Sequence, residues 1–119
     1  VLNIIRGGTA LGNLSTDGKA ILKADQWVQV NGKWQYNDSL GDAVKNTWLG
    51  NYYLQADGNM ATGWLLYDGN WYYLGYDGGK KTGWKNVNNK WYYFDLNGVM
   101  VKNAIIEGYK LGNDGAWIG

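Results

Sequence analysis

Residues 62–81 read TGWLLYDGNWYYLGYDGGKK, and residues 82–101 read TGWKNVNNKWYYFDLNGVMV. Both stretches keep a first Trp, a WYY triplet and a later Gly at the same offsets. Trp64 and Trp84 are thus twenty residues apart, as are Trp71 and Trp91. Self-similarity at a short fixed period is the mark of a stacked-repeat architecture. Within each copy, Asp68–Gly69 or Asn88–Asn89 separates two short aromatic and aliphatic runs. Dipeptides of this kind, flanked by period-two runs, predict two-residue β-hairpins.

The pattern extends outward in both directions. Residues 47–61, TWLGNYYLQADGNMA, form a unit that has lost four residues and its second Trp; residues 26–46, QWVQVNGKWQYNDSLGDAVKN, form a longer one with its turn at Asn31–Gly32. Residues 105–117, IIEGYKLGNDGAW, and 4–20, IIRGGTALGNLSTDGKA, read as worn copies. About six units therefore begin near residues 4, 27, 48, 64, 84 and 104. A further Gly at Gly58, Gly78 and Gly98 marks the connection to the next unit. Isolated hairpins are barely stable in water, so a row of them must stack. The expected fold is all-β, a solenoid of stacked β-hairpins built from repeats of about twenty residues. The expected organisation is one repeat domain over residues 1–119. Degenerate capping units cover 1–24 and 104–119, and aromatic repeats cover 25–103. Gly every few residues excludes helix, and the 42–47 stretch is too short to change that.

Composition narrows the function. The chain has 119 residues, with 8 Trp, 10 Tyr and 1 Phe, and no Cys, His or Pro. Without Cys or His there is no thiol nucleophile, imidazole base or usual zinc site, so no metal and no cofactor are expected. Apolar runs of a few residues fall short of the roughly 18 that a membrane span needs. No positively charged start leads into an apolar run, so no leader peptide is read. A formal charge of +1 gives too little phosphate attraction for a nucleic-acid partner. Six lysines from Lys80 to Lys110, against Asp95 and Glu107, read as a solvated basic face. The abundance of Trp and Tyr beside a lone Phe94 favours rings that are apolar on the face and polar at the edge. That bias points to recognition.

A turn at Asp68–Gly69 pairs Leu66 with Trp71 and Trp64 with Tyr73. Alternation then puts these four on one face, with Leu65 and Tyr72 on the other. When hairpins stack, two Trp of one unit should meet the first Tyr of the next. Three sets satisfy this rule: Trp27, Trp34 and Tyr52; Trp64, Trp71 and Tyr92; Trp84, Trp91 and Tyr109. A fourth, with Trp48 and Tyr72, is incomplete because Asn51 stands at the second Trp position. Three ring faces around one gap suit a quaternary ammonium, at about 0.5–2 kcal/mol per contact. Met60 and Met100 follow their hairpins at matching places and would close a cage with an apolar wall. Lys80 takes that place in the intervening unit. Against this stands the plainer reading that repeated rings are simply the core.

Thr62-Gly63-Trp64, Gly69-Asn70-Trp71-Tyr72-Tyr73-Leu74, Gly78 and Thr82-Gly83-Trp84 resemble the choline-binding (cell-wall-binding) repeat of Gram-positive bacteria and their phages. The resemblance implies a left-handed solenoid that binds choline or phosphocholine of (lipo)teichoic acids between successive repeats, in a secreted, cell-wall-associated protein. It implies that the three sets, with Met100, are the ligand-binding residues. It also implies a non-catalytic module attached to a wall hydrolase, adhesin or toxin. Trp48 without its partner, Ala104 at the place of the first Trp, and a ring-free 1–24 depart from the family pattern. Association of copies through the end repeats stays open.

Related repeats bind glucans, so a carbohydrate-binding module is the alternative, with Asn59, Asn70, Asn86, Asn88 and Asn89 as its polar partners. An enzyme is disfavoured: Ser15 and Ser39 have no base to activate them. Asp17, Asp57, Asp68, Asp77 and Asp114 precede Gly and read as turn formers. A calcium-binding β-roll would need a Gly-Gly-x-Gly-x-Asp repeat, which is missing.

Overall fold

The computed structural model describes residues 23–119, so the N-terminal capping unit lies, but for its last two residues, outside the described residues. Every element among them is a β-strand, and every strand pairs with its neighbour in sequence. The hairpins are β1(Gln26–Val30) with β2(Lys33–Asn37), β3(Thr47–Leu49) with β4(Tyr52–Leu54), β5(Gly63–Tyr67) with β6(Asn70–Leu74), β7(Gly83–Val87) with β8(Lys90–Phe94), and β9(Ala104–Ile106) with β10(Tyr109–Leu111). The chain divides into two compact units, the first ending at Met60 and the second beginning at Ala61. The first holds β1–β4. The second holds β5–β10 as a short solenoid of three hairpins.

The turn dipeptides set the register. Asn31–Gly32, Asp68–Gly69, Asn88–Asn89 and Glu107–Gly108 have positive φ at both positions, the twist that a two-residue hairpin requires. At Gly50–Asn51 only the first residue is left-handed, the alternative hairpin turn with Gly first. Leu66 accordingly pairs with Trp71 and Trp64 with Tyr73.

After each hairpin the chain makes a second turn and returns along the second strand. In the β5–β6 repeat, Gly78 donates its N–H to the Gly75 carbonyl at 2.8 Å, and Lys81 donates to the Tyr73 carbonyl at 2.9 Å. Asp77 Oδ1 accepts the Gly79 N–H at 2.9 Å. Asp57, Asp95 and Asp114 accept backbone N–H groups of their own turns in the same way. The turn reading of the Asp–Gly pairs holds at Asp57, Asp77 and Asp114; Asp17 lies outside the described residues.

Hairpins stack within each unit through backbone bonds. Met60 donates its N–H to the Trp34 carbonyl in the first unit, at 2.8 Å. In the second, Met100 donates to Trp71 and Trp117 to Trp91, both at 2.8 Å. The wall residue also lies over the turn glycine of the next repeat. A Cβ at Gly115, where φ is +87°, would sit 2.4 Å from the Met100 sulfur, so backbone freedom and close approach both call for Gly here.

In four of the five described hairpins the last residue of the second strand is a buried apolar rung; Asn37 takes that place in the first. Leu54, Leu74, Phe94 and Leu111 are 0–1% exposed, and no Trp or Tyr is buried among the described residues. The lone Phe therefore takes a Leu position, with its ring centroid 5.8 Å from that of Trp64.

One sequence expectation needs correction. Ala104 pairs with Leu111 and Ile105 with Lys110, as Gly83 pairs with Phe94 and Trp84 with Tyr93. Ile105, not Ala104, stands at the first-Trp position. The linker from Met100 to β9 has one residue more than the linker from Lys80 to β7, and Asn103 absorbs it at φ +53°. The same Val-Lys-Asn triplet precedes the other short hairpin, with Asn46 at φ +56°.

The ladder generates a stability prediction. Leu74→Ala should cost about 2–5 kcal/mol through the cavity it leaves. Phe94→Leu, which restores the residue used by the other rungs, should cost about 1–2 kcal/mol. Urea unfolding of the two variants checks the ordering.

Candidate functional site

The second strand of each long hairpin carries an outward Trp: Trp34, Trp71 and Trp91 are 43, 40 and 43% exposed. The first-strand partners Trp27, Trp64 and Trp84 are half-buried. The Trp and Tyr rings thus stand beside the buried Leu and Phe rungs rather than among them. That separates them from the plain core reading, in which burial alone would explain them.

In the first unit, Trp27 meets Tyr52 edge to face, with centroids 5.4 Å apart and planes at 74°. Trp34 joins through the bond that its carbonyl accepts from Met60. In the second unit, Trp64 meets Trp71 at 6.1 Å and 88°, and Tyr92 of the next hairpin at 4.8 Å and 77°. These three rings and Met100 line a cavity of about 380 Å³ together with Lys102, Asn113 and Asp114. The last set repeats the plan. Trp84 lies 5.7 Å from Tyr109 at 83°, and Tyr109 lies 5.8 Å from Trp117 at 84°. Trp84, Trp91, Tyr109 and Trp117 line a cavity of about 390 Å³. The structure therefore brings together the members of both second-unit sets. In the first unit, ring contact is seen between Trp27 and Tyr52.

Near-perpendicular rings are favourable in themselves, by about 0.5–1.5 kcal/mol per pair. They also turn several π faces toward one gap. Such a gap attracts a soft, poorly hydrated cation. Nothing in either cavity forms a nucleophile–base pair, and no group of three or more metal-ligating side chains occurs among the described residues. No helix among them is long and apolar enough to cross a membrane.

Sequence reasoning missed several contributors. Trp117 closes the last cavity where Met100 closes the preceding one. The signal was present, since each stands nine residues after the residue at the second-Trp position, Gly108 or Trp91. The motifs contain no acid, but the fold brings two acids in. Trp84 Nε1 donates to Glu107 Oε1 at 2.7 Å, and Asp114 lines the 380 Å³ cavity from a later repeat. Lys80, at the wall position of its own repeat, has its Nζ 5.9 Å from the centroid of the Tyr72 ring. The Asn side chains weighed for sugar contacts do not line either cavity. Asn59 is engaged by Gln35 and Asp57, and Asn88 and Asn89 form a hairpin turn.

Stacked hairpins that share ring-lined cavities define a repeat module built for ligand binding. Residues 50–81 and 81–113 each match the model of the choline-binding repeat, and the chain belongs to that family. Among solved structures it resembles choline binding protein F from Streptococcus pneumoniae, with 38% identity and a TM-score of 0.72, over 87% of this chain and 36% of that one. It also resembles the modular autolysin LytC from the same organism in complex with a synthetic peptidoglycan ligand. That match has 35% identity and a TM-score of 0.76, over 88% of this chain and 25% of that one. The choline binding domain of Spr1274 in S. pneumoniae is 34% identical, with a TM-score of 0.55, over 81% of this chain and 96% of that one. The chain thus spans nearly the whole of the isolated domain, but only 36% and 25% of the two larger proteins. No curated protein sequence matches it.

The Glu107 contact yields a local prediction. Glu107→Asn keeps a residue that tolerates positive φ but shortens the acceptor. The Trp84 indole N–H resonance should shift upfield and exchange faster with solvent, with the Trp64 and Trp71 indoles unmoved, in a heteronuclear NMR spectrum.

Proposed function

We propose that this chain is a non-catalytic, cell-wall-targeting module that binds choline or phosphocholine carried by teichoic acids. Its ligand sites are the ring sets Trp64, Trp71, Tyr92 and Met100; Trp84, Trp91, Tyr109 and Trp117; and Trp27, Trp34 and Tyr52 with Met60. One observation carries the reading. Three rings, perpendicular and half-exposed, face a common gap, while buried Leu and Phe side chains supply the core. A trimethylammonium group has no N–H to donate, so ring quadrupoles hold it where hydrogen-bond acceptors would gain little. The nearby carboxylates of Asp114 and Glu107 add long-range attraction for a cation.

Each site alone is weak. Several sites on one decorated polymer raise retention through effective concentration, with no further contact needed. This suits a module that holds another domain at a surface, and LytC, described as a modular autolysin, has a similar domain over a quarter of its length. The single-domain organisation over residues 1–119, the secreted, wall-associated location and the capping roles of the end units belong to the same reading.

Tryptophan fluorescence during titration tests it. Choline and tetramethylammonium should give saturable changes, and glucose oligomers none. Trp71→Ala should remove one site, leaving the Trp84–Trp91 site intact. A response to the sugars alone would replace this reading with a glycan-binding one, and unchanged stoichiometry in Trp71→Ala would remove the cage assignment.

A further inference from the structure

The two cavities of the second unit share a ring plan and nearly the same volume, about 380 and 390 Å³, but their linings differ. The last is walled by four aromatic residues. The other carries Lys102, Asn113 and Asp114 in addition to its rings. Lys102 comes from the extra residue of the Val101-Lys102-Asn103 linker, the insertion that shifts the last hairpin's alignment by one. The equivalent linkers before β5 and β7 are shorter and carry Thr62 and Thr82 ahead of their Gly. Asp114 is held in place by accepting the Ala116 N–H at 3.0 Å.

We infer that the Trp64–Trp71–Tyr92–Met100 cavity selects choline that carries a phosphate, with Lys102 reading the phosphate, and that the four-ring cavity binds the ammonium without reading it. The inference rests on the quaternary-ammonium reading above and deepens it. Phosphocholine is a short zwitterion, so its nitrogen among the rings leaves the phosphate outside them. There it meets an exposed ammonium and an amide that can donate. The Asp114 carboxylate, in the same lining, favours the ammonium and opposes the phosphate, so the preference rests on Lys102 and Asn113. Lys102 acts with both signs. It attracts the phosphate, which bears about −1.5 to −2 charges near neutral pH in free phosphocholine and one charge when esterified to a polymer, and it repels choline, which has only its cation. Discrimination through one attractive and one repulsive element is a common route to specificity.

The test is calorimetric titration of choline chloride and phosphocholine at low salt into the full chain and its Lys102→Gln, Trp71→Ala and Trp91→Ala variants. In the unsubstituted chain and in Trp91→Ala, one class of site should prefer phosphocholine. Lys102→Gln should weaken phosphocholine by about two- to five-fold, the range of exposed charge pairs, and leave choline equal or tighter. That crossing of the two affinities is not what loss of structure would produce. The preference should be lost in Trp71→Ala and should shrink as salt is added. A phosphocholine-to-choline ratio unchanged by Lys102→Gln, with choline still bound, overturns this inference and leaves the proposed function standing. Failure of the unsubstituted chain to bind either ligand overturns both.

Discussion

The structure depends on one backbone bond that recurs between hairpins. After three of the second turns, the amide of the next residue donates to the carbonyl of the outward Trp in the preceding hairpin: Met60 to Trp34, Met100 to Trp71, Trp117 to Trp91. A two-stranded hairpin has two unpaired edges and little buried area. This bond fixes the spacing between neighbours, and it places a new side chain directly across from a ring. Stacking and cavity formation are therefore one event. The second turns bring the donor to this position, which is why their Asp and Gly residues matter to a cavity that most of them never touch.

Separation of labour between two sets of apolar residues follows. Leu54, Leu74, Phe94 and Leu111 exclude water completely, and burial at that level contributes about 1.5–3 kcal/mol per side chain. The Trp and Tyr rings gain less from burial and retain exposed π surface. A core made of those rings would have saturated their faces against each other. Perpendicular packing at 4.8–6.1 Å keeps them rigid while leaving a face of the set open.

Much of this was legible in the sequence. Asn31–Gly32, Asp68–Gly69 and Asn88–Asn89 fix the hairpin turns because few dipeptides tolerate left-handed backbone at both positions. Once the turn is fixed, strand alternation determines that Trp64 and Trp71 share a face, and stacking brings Tyr92 to them. The remainder was hidden for two physical reasons. Alignment of the last repeat by composition slid over the Val-Lys-Asn insertion, because nothing in Ala104 or Ile105 marks which of them pairs with Lys110. Residues such as Lys102, Asp114 and Glu107 come from loops of later repeats, and period-two reasoning follows strands rather than the paths of loops. Trp117 was the avoidable omission, since its offset from Gly108 matches that of Met100 from Trp91.

Each cavity in the second unit draws its walls from two successive hairpins, and this makes occupancy and folding thermodynamically linked. A ligand lodged there bridges one repeat to the next and is lost if the joint opens. It therefore stabilises the stack by an amount that grows with the logarithm of its concentration over the dissociation constant. Under the proposed function, a surface crowded with ligand would hold the joints between hairpins, and the chain would unfold less readily there than in free solution. Anchoring and mechanical toughness then come from the same set of rings.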